Sequence, residues 1–342
     1  MVSLLEKIEV FTNFKTQSSF NSEKASQKSL NSQENFIEKL RTDMKKNGLT
    51  QIIDEKLLLI ELAKKGEKSM IRLALKLGAN VNVQMVGDED PLAIGKKSSL
   101  LHYLAAKFDD NDFIKECVNY GAYINQSNAN KRTPLHSALQ KRKENVARSL
   151  IDSGVSVNYP DKDGMTPFQV CALVGFHSLI KPCLESGAKI NQKDNSGKTS
   201  LHLITGKYAN DEKIKLTIKA LLENGANVNI QDNLGKKPLH ITFNPLISLR
   251  DDYREELAVL HVKNGANVNL QDNYGQTPLH ITLVLGAMNG RYNEELVKLH
   301  DENGADVHIE DNGAWSPLKL VETLNTNSEN KMIILNLLRR NM

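Results

Sequence analysis

A short phrase recurs along this 342-residue chain and fixes most of what the chain can become. Thr133-Pro134-Leu135-His136 returns as Thr166-Pro167-Phe168-Gln169, Thr199-Ser200-Leu201-His202, Lys237-Pro238-Leu239-His240, Thr277-Pro278-Leu279-His280 and Ser316-Pro317-Leu318-Lys319. A weaker copy, Ser99-Leu100-Leu101-His102, precedes them, and successive fourth positions lie 34, 33, 33, 38, 40 and 39 residues apart. A second phrase, Gly78-Ala79-Asn80-Val81-Asn82, keeps the same beat, with copies starting at Gly121, Gly154, Gly187, Gly225, Gly265 and Gly304. Self-similarity at this period marks a stack of like supersecondary units.

Each phrase has a physical reading. Thr or Ser before Pro starts a helix: the hydroxyl accepts from an orphan backbone N–H, and proline at the first position gives up a donor that had no partner anyway. The recurring glycine follows a helix, where a left-handed backbone ends it. Between the two lie short apolar-periodic stretches such as Leu135 to Leu139 and Val146 to Ile151, so the unit is helix, turn, helix and then an extended excursion such as Val228-Asn229-Ile230-Gln231-Asp232. Helices this short are unstable singly and must bury their apolar stripes on neighbouring units.

Over roughly residues 50 to 342 the two phrases resemble the ankyrin repeat. The resemblance implies an all-α solenoid of helix-turn-helix units carrying β-hairpin fingers. Seven units have a glycine turn, and a C-terminal cap, Asn312 to Met342, never reaches one. The chain therefore divides into an N-terminal segment, residues 1–50, and a repeat domain, 51–342.

Several stretches depart from the pattern. Residues 84–96 replace the first finger with a longer loop holding Asp88-Glu89-Asp90 and Pro91, and Lys131 stands where the family has the finger glycine. Pro182 falls within a second helix and is expected to kink or shorten it. Extra residues separate the helices of the fifth to seventh units, near Gly206–Asp211, Asn244–Asp252 and Gly286–Asn293. The last two end alike, Tyr253-Arg254-Glu255-Glu256-Leu257 and Tyr292-Asn293-Glu294-Glu295-Leu296. Either the helices are longer there, or Tyr253 and Tyr292 stack into a ridge that forms a second contact surface. Phe14 to Ser29 is polar, without sustained period, and reads as disordered. A helix capped by Asn31 and Glu34 presents Phe36, Ile37, Leu40 and Met44, which can cover the open end of the first unit; Leu4, Leu5, Ile8 and Phe11 form a second short amphipathic piece.

The chain carries no signature of catalysis. It has no glycine-rich phosphate loop, no His-Glu-x-x-His and no paired-cysteine zinc spacing. His102, His136, His202, His240 and His280 recur periodically, but metal ligands converge within about 2 Å of one ion, whereas stacked helices lie about 8–10 Å apart. These histidines, with His261 and His300, read as structural. No enzyme, cofactor, metal or small-molecule substrate is expected. Cys117, Cys171 and Cys183 are too few and scattered for a disulfide framework, which suggests a reducing compartment. No apolar run is long enough to span a membrane and no secretory signal opens the chain, so the expected location is cytoplasmic, or a host cytosol reached without a cleavable signal. A net charge of +3, from 44 basic and 41 acidic residues, argues against a general nucleic-acid binder.

Proteins of the resembled family bind partners on a concave surface made of fingertips and first helices. In the finger pattern Asp-x-x-Gly-x-Thr-Pro the unnamed positions point outward. The resemblance therefore places partner binding at Lys162, Asp163, Met165, Asn195, Lys198, Leu234, Lys236, Tyr274, Gln276 and Trp315. Leu234, Tyr274 and Trp315 are expected to form one anchoring row. The function implied is a monomeric protein-interaction scaffold. The lysine- and asparagine-rich composition and the Ser/Asn-rich head further resemble ankyrin effectors that intracellular bacteria deliver into host cells, which implies a host protein as partner. The alternative is a nucleic-acid-linked or transcriptional regulator using the basic patches. Asn229 and Asn269 resemble finger asparagines that a host dioxygenase hydroxylates in some members, although a structural role in the turn is the simpler reading.

Overall fold

The computed structural model describes residues 59–60, 62–76, 78–85, 96–207, 211–246, 249–323 and 329–340. The 1–50 segment with its two expected helices, the acidic run Asp88-Glu89-Asp90 and Pro91 lie outside the described residues.

From α1 (Lys68–Lys76) onward the helices come in antiparallel pairs: α2 (Leu100–Lys107) with α3 (Asn111–Asn119), α4 (Pro134–Gln140) with α5 (Glu144–Asp152), and α6 (Pro167–Val174) with α7 (His177–Glu185). The pairs continue as α8 (Ser200–Thr205) with α9 (Glu212–Glu223), α10 (Pro238–Thr242) with α11 (Asp251–Lys263), α12 (Pro278–Met288) with α13 (Glu294–Glu302), and α14 (Pro317–Thr323) with α15 (Glu329–Leu338). First helices pack on first helices from α2 through α14, and second helices pack on second helices from α1 through α9 and again from α11 through α15. Buried residues run as one apolar cluster from Leu59 to Leu296, continued by another from Leu279 to Leu338. The repeat solenoid expected from the sequence is therefore present.

The recurring phrase does more than start helices. In α4 the ring of His136 accepts the Thr133 backbone N–H at Nδ1, 3.0 Å, and its Nε2 meets the Met165 carbonyl of the next finger at 3.1 Å. A ring that accepts at Nδ1 must carry its proton on Nε2, so one neutral tautomer ties a helix start to the following unit. The same bridge joins His102 to Arg132, His202 to Lys236, His240 to Gln276 and His280 to Trp315, each through the carbonyl oxygen. Gln169 reproduces it: its Oε1 accepts the Thr166 N–H while its Nε2 donates to the Lys198 carbonyl. At Lys237 the capping hydroxyl is missing, and Nδ1 of His240 is buried without a partner.

The fingers are loops rather than paired strands: among the described residues the one isolated bridge joins Gln84 and Ser99. Each finger closes on a bond such as Asp161 N–H to Met165 carbonyl, 2.9 Å, too short a ladder to count as strand. Lys131 takes the left-handed φ of 56° that glycine has at the equivalent Gly164, 77°. Pro182 does not shorten its helix: α7 has nine residues, like α5. The carbonyl a proline at this place leaves unpaired is that of Ser178, and Arg148 of the preceding unit donates to it at 2.8 Å.

The tyrosine ridge does not form. Tyr253 and Tyr292 are 8% and 2% exposed and belong to the core. The helices beside the insertions are longer instead, with 12 residues in α9, 13 in α11 and 11 in α12. Conversely α10 has only five, and the buried Arg254 guanidinium donates to its last carbonyl, Thr242.

Two outcomes are expected. Lys237→Thr restores the missing cap and should raise the urea midpoint by the equivalent of about 1 kcal/mol. Burial holds His102, His136 and His261 down to about 4 and His240 and His300 to about 3, against 6.5 when exposed. Unfolded chains then take up protons that the folded chain refuses, so stability is full above pH 6.5 and falls as the pH drops towards 4, by about 1.4 kcal/mol per ring per unit. Urea midpoints at pH 7 and pH 5 measure this, and His136→Gln, copying Gln169, should reduce the difference.

Candidate surface for partner binding

The fingers are built by a repeated device. The first residue of each turn, an aspartate or asparagine, accepts at one oxygen the N–H groups two and four residues on: Asp232 from Leu234 and Lys236, both 2.9 Å, and Asp272 from Tyr274 and Gln276, 2.9 and 3.0 Å. Asp161, Asp194, Asp311 and Asn128 do the same. This Asx turn spends the carboxylate inside the finger.

Neighbouring fingers are then joined through the next position. The Asn233 amide donates to the Asn195 carbonyl, that of Asn273 to Asn233, and that of Asn312 to Asn273, each at 3.0 Å. Asn195 donates to the Lys162 carbonyl at 2.9 Å. This ladder explains the finger glycine more fully than φ alone: a Cβ on Gly235 would lie 2.3 Å from Asn273 Oδ1 and 2.6 Å from its backbone N. At the finger bases Asn229 donates to the Gly265 carbonyl and accepts from Asn267 N–H, and Asn269 does likewise with Gly304 and Asp306, all within 2.9 Å. Both ends of these two amides are occupied by the neighbouring unit.

The candidate residues separate accordingly. Lys162, Asp163, Leu234, Tyr274 and Trp315 are exposed, and Lys198, Lys236 and Gln276 half-buried. Met165 is half-buried and packs on the core, and the Asn195 side chain, although exposed, belongs to the ladder. Leu234 and Tyr274, 51% and 58% exposed, occupy equivalent places in adjacent fingers, linked by the Asn273 N–H donating to the Leu234 carbonyl at 3.0 Å. Trp315 is not in their column. Its carbonyl takes the His280 bridge, as those of Met165, Lys236 and Gln276 take theirs, which places it one column over; the residue equivalent to Tyr274 is Gly313. The Trp315 ring rests on its own unit, with Lys319 Nζ 5.3 Å from the ring centroid. The expected threefold row therefore reduces to an exposed pair, Leu234 and Tyr274, because the tryptophan lies on the other side of the finger-glycine position.

Residues 193 to 207 hold lysines that the finger pattern did not flag, Lys193 and Lys207. The usable signal was compositional: first helices α4, α6 and α8 contain no aspartate or glutamate.

Among the described residues no group of histidine, cysteine, aspartate or glutamate side chains converges to hold a metal, and no helix is long and apolar enough to cross a membrane. The three cysteines are buried, and burial raises the Cys117 thiol to about 12.

Comparison with known proteins gives the same picture. Residues 101–194 match the family model for three-copy ankyrin repeats, and 196–233 the single ankyrin repeat. No curated protein matches the chain in sequence. The crystal structure of the ankyrin repeat domain of Bcl-3, described as a unique member of the IkappaB family, is similar over 71% of this chain and 99% of its own, with 22% identity and a TM-score of 0.57. The human ASB11 ankyrin repeat domain is similar over 70% of this chain and 97% of its own, with 22% identity and a TM-score of 0.54. Such repeats are generally modules of protein–protein interaction. The matched repeats and the shared fold agree, and the chain is an ankyrin-repeat protein.

Proposed function

We propose that this protein is a monomeric, non-catalytic scaffold that binds a partner protein across its finger surface, with Leu234 and Tyr274 as the apolar anchors. The observation that carries the reading is the exposure of these two side chains, next to each other, on fingers whose own bonding makes no use of them. Large apolar and aromatic side chains ringed by polar ones are the usual material of interface hot spots. Lys162, Asp163, Lys198, Lys236 and Gln276 form the polar rim, with Trp315 at one side. Met165 and Asn195 hold the fingers in place beneath it. The partner is a host-cell protein and the site of action its cytosol, on the strength of the composition and the Ser/Asn-rich head, whose style is that of delivered effectors.

A photo-cross-linking amino acid at position 274, with one at the exposed outer-helix position 219 as control, tests the reading in a eukaryotic lysate. Adducts should form from 274 and not from 219. Leu234→Ala with Tyr274→Ala should weaken the captured partner's affinity by about 2 kcal/mol or more while changing folding stability by less than about 0.5 kcal/mol. Equal adducts from both positions, or unchanged affinity, would refute it.

A further inference from the structure

Charge is unevenly shared between the two faces of the third to sixth units. Their finger crests and first helices, residues 129–142, 160–176, 193–207 and 231–242, carry Lys131, Arg132, Lys141, Arg142, Lys162, Lys193, Lys198, Lys207, Lys236 and Lys237. The only acids there are Asp161, Asp163, Asp194 and Asp232, and three of these four spend an oxygen on their own turn's N–H groups. Most acids of the same units sit on the outer helices, among them Glu144, Asp152, Glu185, Glu212 and Glu223, where bases such as Arg148, Lys181, Lys215 and Lys219 offset them and leave that face near neutral. A chain whose total charge nearly cancels therefore presents a positive strip on one face.

Some of these cations are committed: Arg132 faces Asp161 at 3.4 Å, Lys207 donates to the Leu173 carbonyl at 2.8 Å, and Lys193 to that of Gln231 at 2.6 Å. Lys162, Lys198 and Lys236 are in no ion pair of the described residues. Lys198 and Lys236 hold equivalent places, their carbonyls each accepting the bridge from the preceding first helix. Past Lys237 the strip stops. Residues 272–288, the next crest and first helix, contain no lysine or arginine and present Tyr274, Val284 and Met288, and the finger after that is acidic, with Asp306, Glu310 and Asp311.

We infer that the finger surface takes an acidic, extended segment of a partner protein, its carboxylates over Lys162, Lys198 and Lys236 and an apolar residue following them against Leu234 and Tyr274. The inference rests on the protein-binding reading and gives it a chemistry and a direction along the stack. A protein segment fits better than a nucleic acid because the strip is short, gives way to a largely apolar stretch without cations and then to carboxylates that would repel a continuing phosphate backbone.

The test uses the full chain and a labelled 16-residue peptide of alternating glutamate and serine ending in Phe-Leu, followed by fluorescence anisotropy. Binding should weaken steeply between about 50 and about 300 mM salt and by about tenfold in the triple variant Lys162→Glu, Lys198→Glu, Lys236→Glu. The corresponding triple change to Gln, with circular dichroism and melting as controls, keeps the experiment decisive if charge reversal disturbs folding. A lysine-for-glutamate peptide should not bind. No binding of the acidic peptide at low salt, or binding indifferent to both triple variants, overturns the inference. So does tighter binding of a single-stranded RNA of equal charge, which would make the strip a nucleic-acid site, or a dimer at low salt that the variants dissolve, which would assign it to a second copy. If cross-links from position 274 persist and the captured partner is indifferent to the lysines, the protein-binding reading stands and the acidic segment alone falls.

Discussion

A helix of seven to nine residues cannot hold its backbone hydrogen bonds against water by itself, and most of the helices here are of that length. Every other property of the molecule follows from how that deficit is met. The apolar stripes are buried between units, forming cores that pass through almost the whole described chain. Helix starts are tied to the neighbouring unit, since the imidazole that caps one end also bonds the following finger. The fingers in turn are held by asparagine amides reaching to the finger before. Cohesion is therefore nearest-neighbour throughout, and equivalent side chains that take no part in it line up in columns on the outside.

Much of this was legible in the sequence because repetition turns weak local signals into strong ones. A single Thr-Pro or Gly-Ala would decide nothing, whereas two phrases in phase across seven units specify helix starts, helix ends and stacking. What escaped depended on contacts between units. Pro182 looked damaging because the residue that satisfies the stranded Ser178 carbonyl, Arg148, lies in another unit and thirty positions earlier. Tyr253 and Tyr292 suggest a ridge because inserted residues near a turn usually face water, yet both are buried, Tyr253 in the lengthened α11 and Tyr292 in the turn before α13.

The candidate site was half legible. Leu234 and Tyr274 fall where the finger pattern leaves a position free, and they are exposed. Trp315 stands at a free position of the finger pattern as Leu234 and Tyr274 do, but it follows the left-handed residue of its turn, Ala314 with a φ of 58°, whereas Leu234 and Tyr274 precede theirs, Gly235 and Gly275. Asn195 falls at an outward position of the finger pattern, but asparagine recurs at its place in three later fingers, and that recurrence marks an inter-finger bond. A family of surfaces built this way separates the two roles cleanly: residues that repeat hold the stack, and residues that change from unit to unit are left for the partner.

Dependence of each unit on its neighbours is tested most directly by comparing the far-ultraviolet circular dichroism of residues 133–165, one unit, with that of 133–236, three units. The single unit should be unfolded, while the three-unit piece should be helical and melt cooperatively, since about three repeats are needed for a continuous core. A single unit that is helical and melts at the same temperature as three would contradict the account.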